Sequence, residues 1–210
     1  MPHGQRIAEL LINIGAVRLS VDPPFTWTSG IKSPVYCDNR MLYSHPEARE
    51  FVVDALVNRV RLLHVEPDFI AGTATAAIGW AALVADRLRL PFVYVRAKAK
   101  EHGTKKLIEG DLPPGKDVVV IEDLISTGGS CASTVKTLRE EGGATVSDVV
   151  AIFSYELFTS RDAEAEAQVK FHPLCSFGLL LEVAVAQGRI NREDIEKIAD
   201  FARNPQAWGK

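Results

Sequence analysis

The sequence predicts an open α/β fold, a mostly parallel twisted sheet with helices on both faces. Two observations lead there. The apolar runs FIAG, PFVYVR, DVVVI and the middle of TVSDVVAIFSY are short and nearly continuous, as strands covered on both sides are. Between them lie segments with helical spacing, and strands alternating with helices require right-handed crossovers in one sheet. A chain of 210 residues with 47% hydrophobic content can bury one sizeable core, so a single domain is expected.

The elements follow in order. Ile7, Leu10, Leu11 and Ile14 keep the spacing of one helical face, and Gly15 is a stop. The segment VRLSVDPPFTWTSGIKSPVYCDNR holds three prolines and a turn signal, and predicts irregular chain with short strands. HPEARE opens a second helix with Val52, Leu56, Val60 and Leu63 as its stripe. A strand at FIAG leads through a Gly-Thr loop into a helix over IGWAALVADRL, and PFVYVR is the next strand. DVVVI is a strand, CASTVKTLREEGG a helix closed by Gly142 and Gly143, and TVSDVVAIFSY another strand. Phe177, Leu180, Leu181 and Ala184 line a helix ahead of Gly188, and NREDIEKIADFA forms a last short one.

Composition excludes several classes. A net charge of -3 and a pI near 6.0 argue against general nucleic-acid or membrane binding. No apolar run approaches membrane-spanning length, and MPHGQRIAEL lacks a signal-peptide core, so a cytoplasmic protein is expected. Three unpatterned cysteines, Cys37, Cys131 and Cys175, fit a reducing compartment rather than a disulfide framework. His172 and Cys175 stand three apart, but no second pair completes a zinc site.

The least core-like stretch is RAKAKEHGTKKLIEGDLPPG. Between Arg96 and Gly110 it has five Lys or Arg, one His and two Glu, with no apolar stripe. A polar excursion between two buried strands is either an active-site lid or a solvated loop.

Ligands of open α/β sheets collect beyond the C-terminal strand ends. Three loops there suit an anionic ligand. In Glu122 to Ser130, the Thr127, Gly128, Gly129 and Ser130 backbone and hydroxyls can wrap a phosphate at the start of the next helix. Glu122 and Asp123 would repel that phosphate, but they can accept from neighbouring hydroxyls. The pattern is a sugar-phosphate site, set against the plainer alternative of an acidic cap after a buried strand. It is neither GxGxxG nor a Walker A loop. AGTATAA, with Thr73 and Thr75, suits a second anion or a tight turn. The basic lid supplies Arg96, Lys98, Lys100, His102, Lys105 and Lys106, which can neutralise charge on a departing pyrophosphate.

The run VVVIEDLISTGGS resembles the phosphoribosyl pyrophosphate motif of the type I phosphoribosyltransferases. FTWTSGIKSPVYCDNR, FIAGTATAAIG and YVRAKAKEHGTKKLIEG are similar to the base-side segment, pyrophosphate loop and catalytic lid of the orotate-using members. The resemblance covers nearly the whole chain. It implies a Rossmann-like sheet with a small N-terminal hood in residues 1–45, the core in 46–175, and C-terminal helices in 176–210 completing the domain. It also implies transfer of a 5-phosphoribosyl group to N1 of orotate, a step of pyrimidine nucleotide synthesis. Magnesium would be held through the substrate rather than by a protein cage, and the partner would be a second copy whose lid reaches across.

The resemblance further implies residue roles. Glu122 and Asp123 would meet the ribose hydroxyls, with Leu124 and Ile125 beside them, and Ser126, Thr127, Gly128, Gly129 and Ser130 the 5-phosphate. Thr73, Ala74, Thr75 and Ala76 would form one pyrophosphate surface, and Arg96, Lys98, Lys100 and His102 the other. Catalysis would fall to Arg96, Lys100, His102 and Asp123. Lys32, Tyr36, Cys37, Ser126 and Tyr155 would lie at orotate. Some members carry lysines where this chain has Thr28 and Ala76, and an arginine at Tyr155. A purine acceptor would keep the central motif, and so would a non-catalytic nucleotide sensor, although the sensor would not need the lid.

Overall fold

A computed structural model describes residues 2–26, 30–98, 106–205 and 207–208. Helix α1 (Pro2–Ile14) is followed by β1 (Val17–Leu19), β2 (Phe25–Thr26), β3 (Lys32–Ser33) and β4 (Val35–Cys37). β1 pairs with β4 and β2 with β3, giving two small antiparallel ribbons where an irregular, proline-rich segment is expected. A 3-10 helix, Asn39–Ser44, then leads into α2 (Pro46–Arg61). Pro46 stands at the first helical position, where its missing N–H costs nothing.

The central sheet is built from β5 (Phe69–Thr73), β6 (Phe92–Val95), β7 (Ile108–Glu109), β8 (Asp117–Ile125), β9 (Thr145–Ser154) and β10 (Lys170–Ser176). Its order is β10-β9-β8-β5-β6-β7, parallel throughout except that β7 returns antiparallel to β6. The connecting helices are α3 (Ala77–Leu88), α4 (Gly129–Glu140) and α5 (Phe158–Glu166), and the chain closes with α6 (Phe177–Ala186) and α7 (Asp194–Arg203).

Alternate residues of each central strand feed two cores. Ile70, Val119, Ile121, Val150 and Ile152 face the layer holding Leu11, Leu56, Trp80, Leu180 and Phe201. Phe69, Ala71, Val118, Val120, Val149 and Ala151 face Cys131, Val135 and Leu138 of α4. Continuous apolar runs are therefore the signature of burial on both faces. The N-terminal α1 and the C-terminal α6 pack on one another and on β10, so both ends of the chain join the first core.

Three expectations need correction. The ladder between β8 and β9 continues through Glu122↔Ala151 to Ile125↔Ser154, so both acids stand on a strand rather than in a loop. Leu63 lies past the end of α2, not on its stripe. The elements α5 and β10 are not predicted at all: KFHPLCS carries Pro173 and polar residues, which an edge strand tolerates and a central one does not.

The chain runs from β5 through α3 to β6 on one side, and from β8 through α4 to β9 on the other. Strand order thus reverses between β5 and β8, and a crevice opens beyond their C-terminal ends.

Candidate active site

A cleft of about 300 Å³ occupies that crevice, lined by Cys37, Asp38, Arg40, Thr73–Ala76, Glu122–Leu124 and Ser130. Two of the three anion-suited segments meet here, joined by the end of β4.

Glu122 is the most constrained residue in the cleft, at 4% exposure. Its Oε1 accepts from the Asp123 N–H at 3.0 Å, and its Oε2 from the Cys131 thiol at 3.6 Å. Burial, then the neighbouring Asp123 charge, holds the Glu122 carboxyl well above the usual carboxylate range. Burial also raises Asp123, while its hydrogen bond to Glu122, local backbone amides and the Arg40 charge oppose the rise. The pair is a strong proton and hydrogen-bond acceptor that lacks enough protein donors, which suits it to a ligand's hydroxyls. Burial and the same carboxylate push the Cys131 thiol up, so it stays a thiol that props Glu122.

Beyond the acid pair the chain makes a turn, Ser126–Gly128, entering α4. Gly128 has φ +82°, and a Cβ there would lie 2.9 Å from Ala163 Cβ and 3.2 Å from the Phe171 ring. Both the left-handed backbone and the missing side chain are required. Thr127, Gly129 and Ser130 are exposed around it, offering hydroxyls and the orphan amides of the helix start.

Thr73 ends β5, and Ala74, Thr75 and Ala76 turn into α3, with the Ala74 N–H bonded to Val95 O at 2.9 Å. The buried Thr73 hydroxyl sits beside the Glu122 carboxylate without a hydrogen-bond partner of normal geometry among the described residues. Its near partner is that carboxylate, so the hydroxyl is open to a polar ligand at the cleft wall.

Other expected residues lie elsewhere. Arg96 pairs with Glu109 of β7 at 3.3 Å and donates to Lys98 O, bracing the base of the lid outside the cleft lining; Lys98 is exposed. Thr28, Lys100, His102 and Lys105 fall outside the described residues. Lys32 donates to Thr26 Oγ1 at 2.8 Å within the β2–β3 ribbon. Tyr36 meets Phe25 in a tilted contact, centroids 6.0 Å apart, with the Arg18 guanidinium 5.0 Å from the Tyr36 ring centroid. Tyr155 does not line the cleft. It is 2% exposed, packs edge-on against Phe153 and Phe177, and its phenol meets the Cys37 backbone, so it supports the cleft instead of lining it. Of the base-side residues, Cys37 alone lines the cleft; Ser126 is half-buried at its edge.

Sequence reasoning missed Asp38, Asn39 and Arg40. Arg40 forks onto Asp38 through bonds of 2.6 and 2.8 Å, which hold the Asp38 carboxyl below its usual range. Asn39 is 1% exposed and donates to the Asp123 carbonyl at 2.6 Å. The run CDNR, polar groups directly after an apolar strand, carried that signal, since Asp38 is also the cap of the 3-10 helix.

No group of three or more His, Cys, Asp or Glu among the described residues could hold a metal alone. The acid pair fits a divalent cation only if a ligand supplies most of the oxygens.

This geometry matches what comparison finds. The chain belongs to the phosphoribosyl transferase domain family, which matches residues 38–170. It is therefore an enzyme class that moves a phosphoribosyl group between small molecules. It is 47% identical over 206 residues to an orotate phosphoribosyltransferase of Listeria monocytogenes (serotype 4b, strain F2365), covering 98% of each chain. Against the enzyme of the same name from Coxiella burnetii it is 44% identical over 208 residues, 99% of each. The solved orotate phosphoribosyltransferase of Aeropyrum pernix superposes with a TM-score of 0.75 at 31% identity, over 88% of this chain and 99% of that one.

Proposed function

We propose that this chain transfers the 5-phosphoribosyl group of 5-phospho-α-D-ribose 1-diphosphate to N1 of orotate, giving orotidine 5'-monophosphate and pyrophosphate. The observation that carries the reading is the convergence, at one switch point, of a buried acid pair, the threonine hydroxyl beside it and a left-handed glycine turn. The near full-length likeness to orotate phosphoribosyltransferases supports the choice of base.

The residues divide the work by charge. The turn Ser126–Ser130 binds the 5-phosphate and anchors the sugar. Glu122 and Asp123 accept from the ribose hydroxyls, and that negative charge stabilises the cationic ring that forms as the C1–O bond breaks. The Thr73–Ala76 backbone holds the pyrophosphate, and closure of the basic lid excludes water that would hydrolyse the donor. A magnesium ion bound on donor oxygens would offset the pyrophosphate charge. The lid, with Arg96, Lys98, Lys100 and His102, acts across a homodimer, and the enzyme works in the cytoplasm. No helix among the described residues is long and apolar enough to cross a membrane.

The test offers orotate, uracil, adenine and guanine separately, with donor and Mg2+. A site built to pair a carboxylate rejects bases lacking one by roughly 10⁴-fold. Transfer to orotate alone is expected. Preference for a purine overturns the assigned base and spares the donor site, whereas no transfer to any base overturns the enzyme reading.

A further inference from the structure

Tyr43 belongs to the 3-10 helix, yet its hydroxyl occupies a place in the backbone of α3. It donates to Ala76 O at 2.7 Å and accepts from the Trp80 N–H at 3.0 Å. Those two groups are four residues apart, the pair an uninterrupted α-helix joins directly. A phenol oxygen therefore stands inside the hydrogen-bond ladder where the Thr73–Ala76 turn becomes helix. A side chain inserted in the ladder is a recognised cause of local bending.

The insertion is specified from three sides. The ring packs nearly flat on Trp80, with centroids 4.4 Å apart and 18° between planes. Gly79 leaves the space, since a Cβ there would lie 2.8 Å from the phenol oxygen and 3.0 Å from the ring. Burial pushes the Tyr43 phenol well above its usual range, so it remains a donor to Ala76. The same short element reaches the opposite wall through the Asn39 bond to the Asp123 carbonyl. One frame, Asn39–Ser44, thus holds both the acid end of β8 and the small-residue turn after β5.

We propose that Tyr43 is a positioning residue whose hydroxyl, as a spacer between Ala76 and Trp80, holds the Thr73–Ala76 backbone open for the donor's pyrophosphate. This rests on the reading of that turn as the pyrophosphate surface. Without the hydroxyl, the Trp80 N–H closes onto the Ala76 carbonyl and draws the turn into regular helix. The peptides that face the cleft then rotate away. A tyrosine that only packed against Trp80 would affect stability and leave ligand affinity alone.

The experiment compares wild type, Tyr43→Phe and Gly79→Ala by donor KM, acceptor KM, the inhibition constant of inorganic pyrophosphate, and thermal midpoint. Tyr43→Phe keeps the stacked ring and removes the spacer. Gly79→Ala keeps the hydroxyl and crowds it from the helix side. In Tyr43→Phe the donor KM and the pyrophosphate inhibition constant should rise together by roughly tenfold, with acceptor KM within about twofold. Gly79→Ala should shift the same two constants in the same direction. Unchanged pyrophosphate inhibition in Tyr43→Phe, with wild-type transfer intact, overturns the role of Tyr43 alone. Donor and acceptor KM rising equally alongside a lost midpoint overturns it too, as a general structural effect. Wild-type protein that neither transfers phosphoribosyl nor responds to pyrophosphate overturns the site reading, and this proposal with it.

Discussion

The cleft at the N-terminal ends of β9 and β10 is more than twice the size of the one at the switch point, about 720 against 300 Å³, yet Arg59, Asp148, Glu164 and His172 in its lining already have protein partners. At its floor His172 Nε2 donates to Asp148 Oδ1 at 2.6 Å, and His172 Nδ1 lies 2.6 Å from Arg59 Nη2. A guanidinium can only donate, so Nδ1 is the acceptor of that contact. Glu164 is likewise tied to the Phe171 N–H. The smaller cleft is the reverse: an acid pair raised by burial and a threonine hydroxyl that, among the described residues, has no partner of normal geometry. Volume is a poor guide to chemistry here. Unfinished hydrogen bonding at a strand end is the better one.

The comparison breaks or holds on substitutions at the two ends. If Asp123 faces the cationic sugar as proposed, Asp123→Asn should lower kcat by roughly 10²–10³. A steady-state assay that finds kcat within a factor of about three would return Asp123 to a capping role. Gly128→Ala imposes a Cβ on a φ of +82° and against Ala163, so urea unfolding should show a loss of about 1–3 kcal/mol. Its donor KM should rise as the phosphate turn is displaced; a stability unchanged from wild type would mean the turn relaxes freely. Asp148→Asn weakens a matched ion-dipole chain far from the cleft. It should cost about 1–2 kcal/mol of stability with kcat unchanged. If it harmed turnover as much as Asp123→Asn, the large cleft would not be the inert one.

The smallest effect concerns Glu122, whose folded-state pKa is raised. The folded chain then holds its proton more tightly than the unfolded chain. Stability from this group is greatest below the unfolded value and falls as pH rises through it toward the folded value. Glu122→Gln should therefore raise the thermal midpoint at pH 7 by about 2–4 °C, with the gain vanishing toward pH 4. Transfer should fall in the same variant, because strain kept for a ligand is what the substitution relieves. Melts in which the variant is less stable at pH 7 would place the hydrogen bonds from Asp123 N–H and Cys131 ahead of burial.

Much of this was legible because burial on both faces writes itself as VVVI or VVAIF, and because two acids beside a Ser-Thr-Gly turn have few other uses. What stayed hidden depends on contacts between distant segments. Nothing local in CDNR says that Asn39 will hold a carbonyl 84 residues away, nor that Tyr43 will enter a helix that starts at Ala77. β10 was hidden for a different reason: as an edge strand it is polar enough to carry Pro173 and His172, so it lacks the apolar run by which its neighbours are recognised. Tyr155 is the converse case. The resemblance puts it at the base because members of the family carry an arginine there, while in this chain its ring packs on Phe153 and Phe177 and its phenol meets the Cys37 backbone.

The switch-point cleft, not the larger one, is expected to bind the phosphoribosyl donor. Calorimetric titration of 5-phospho-α-D-ribose 1-diphosphate with Mg2+ into wild type, Asp123→Asn and Asp148→Asn tests it most directly. The same dissociation constant is expected for wild type and Asp148→Asn, and one weaker by at least about tenfold for Asp123→Asn. Donor binding that survives Asp123→Asn and is lost in Asp148→Asn would contradict it.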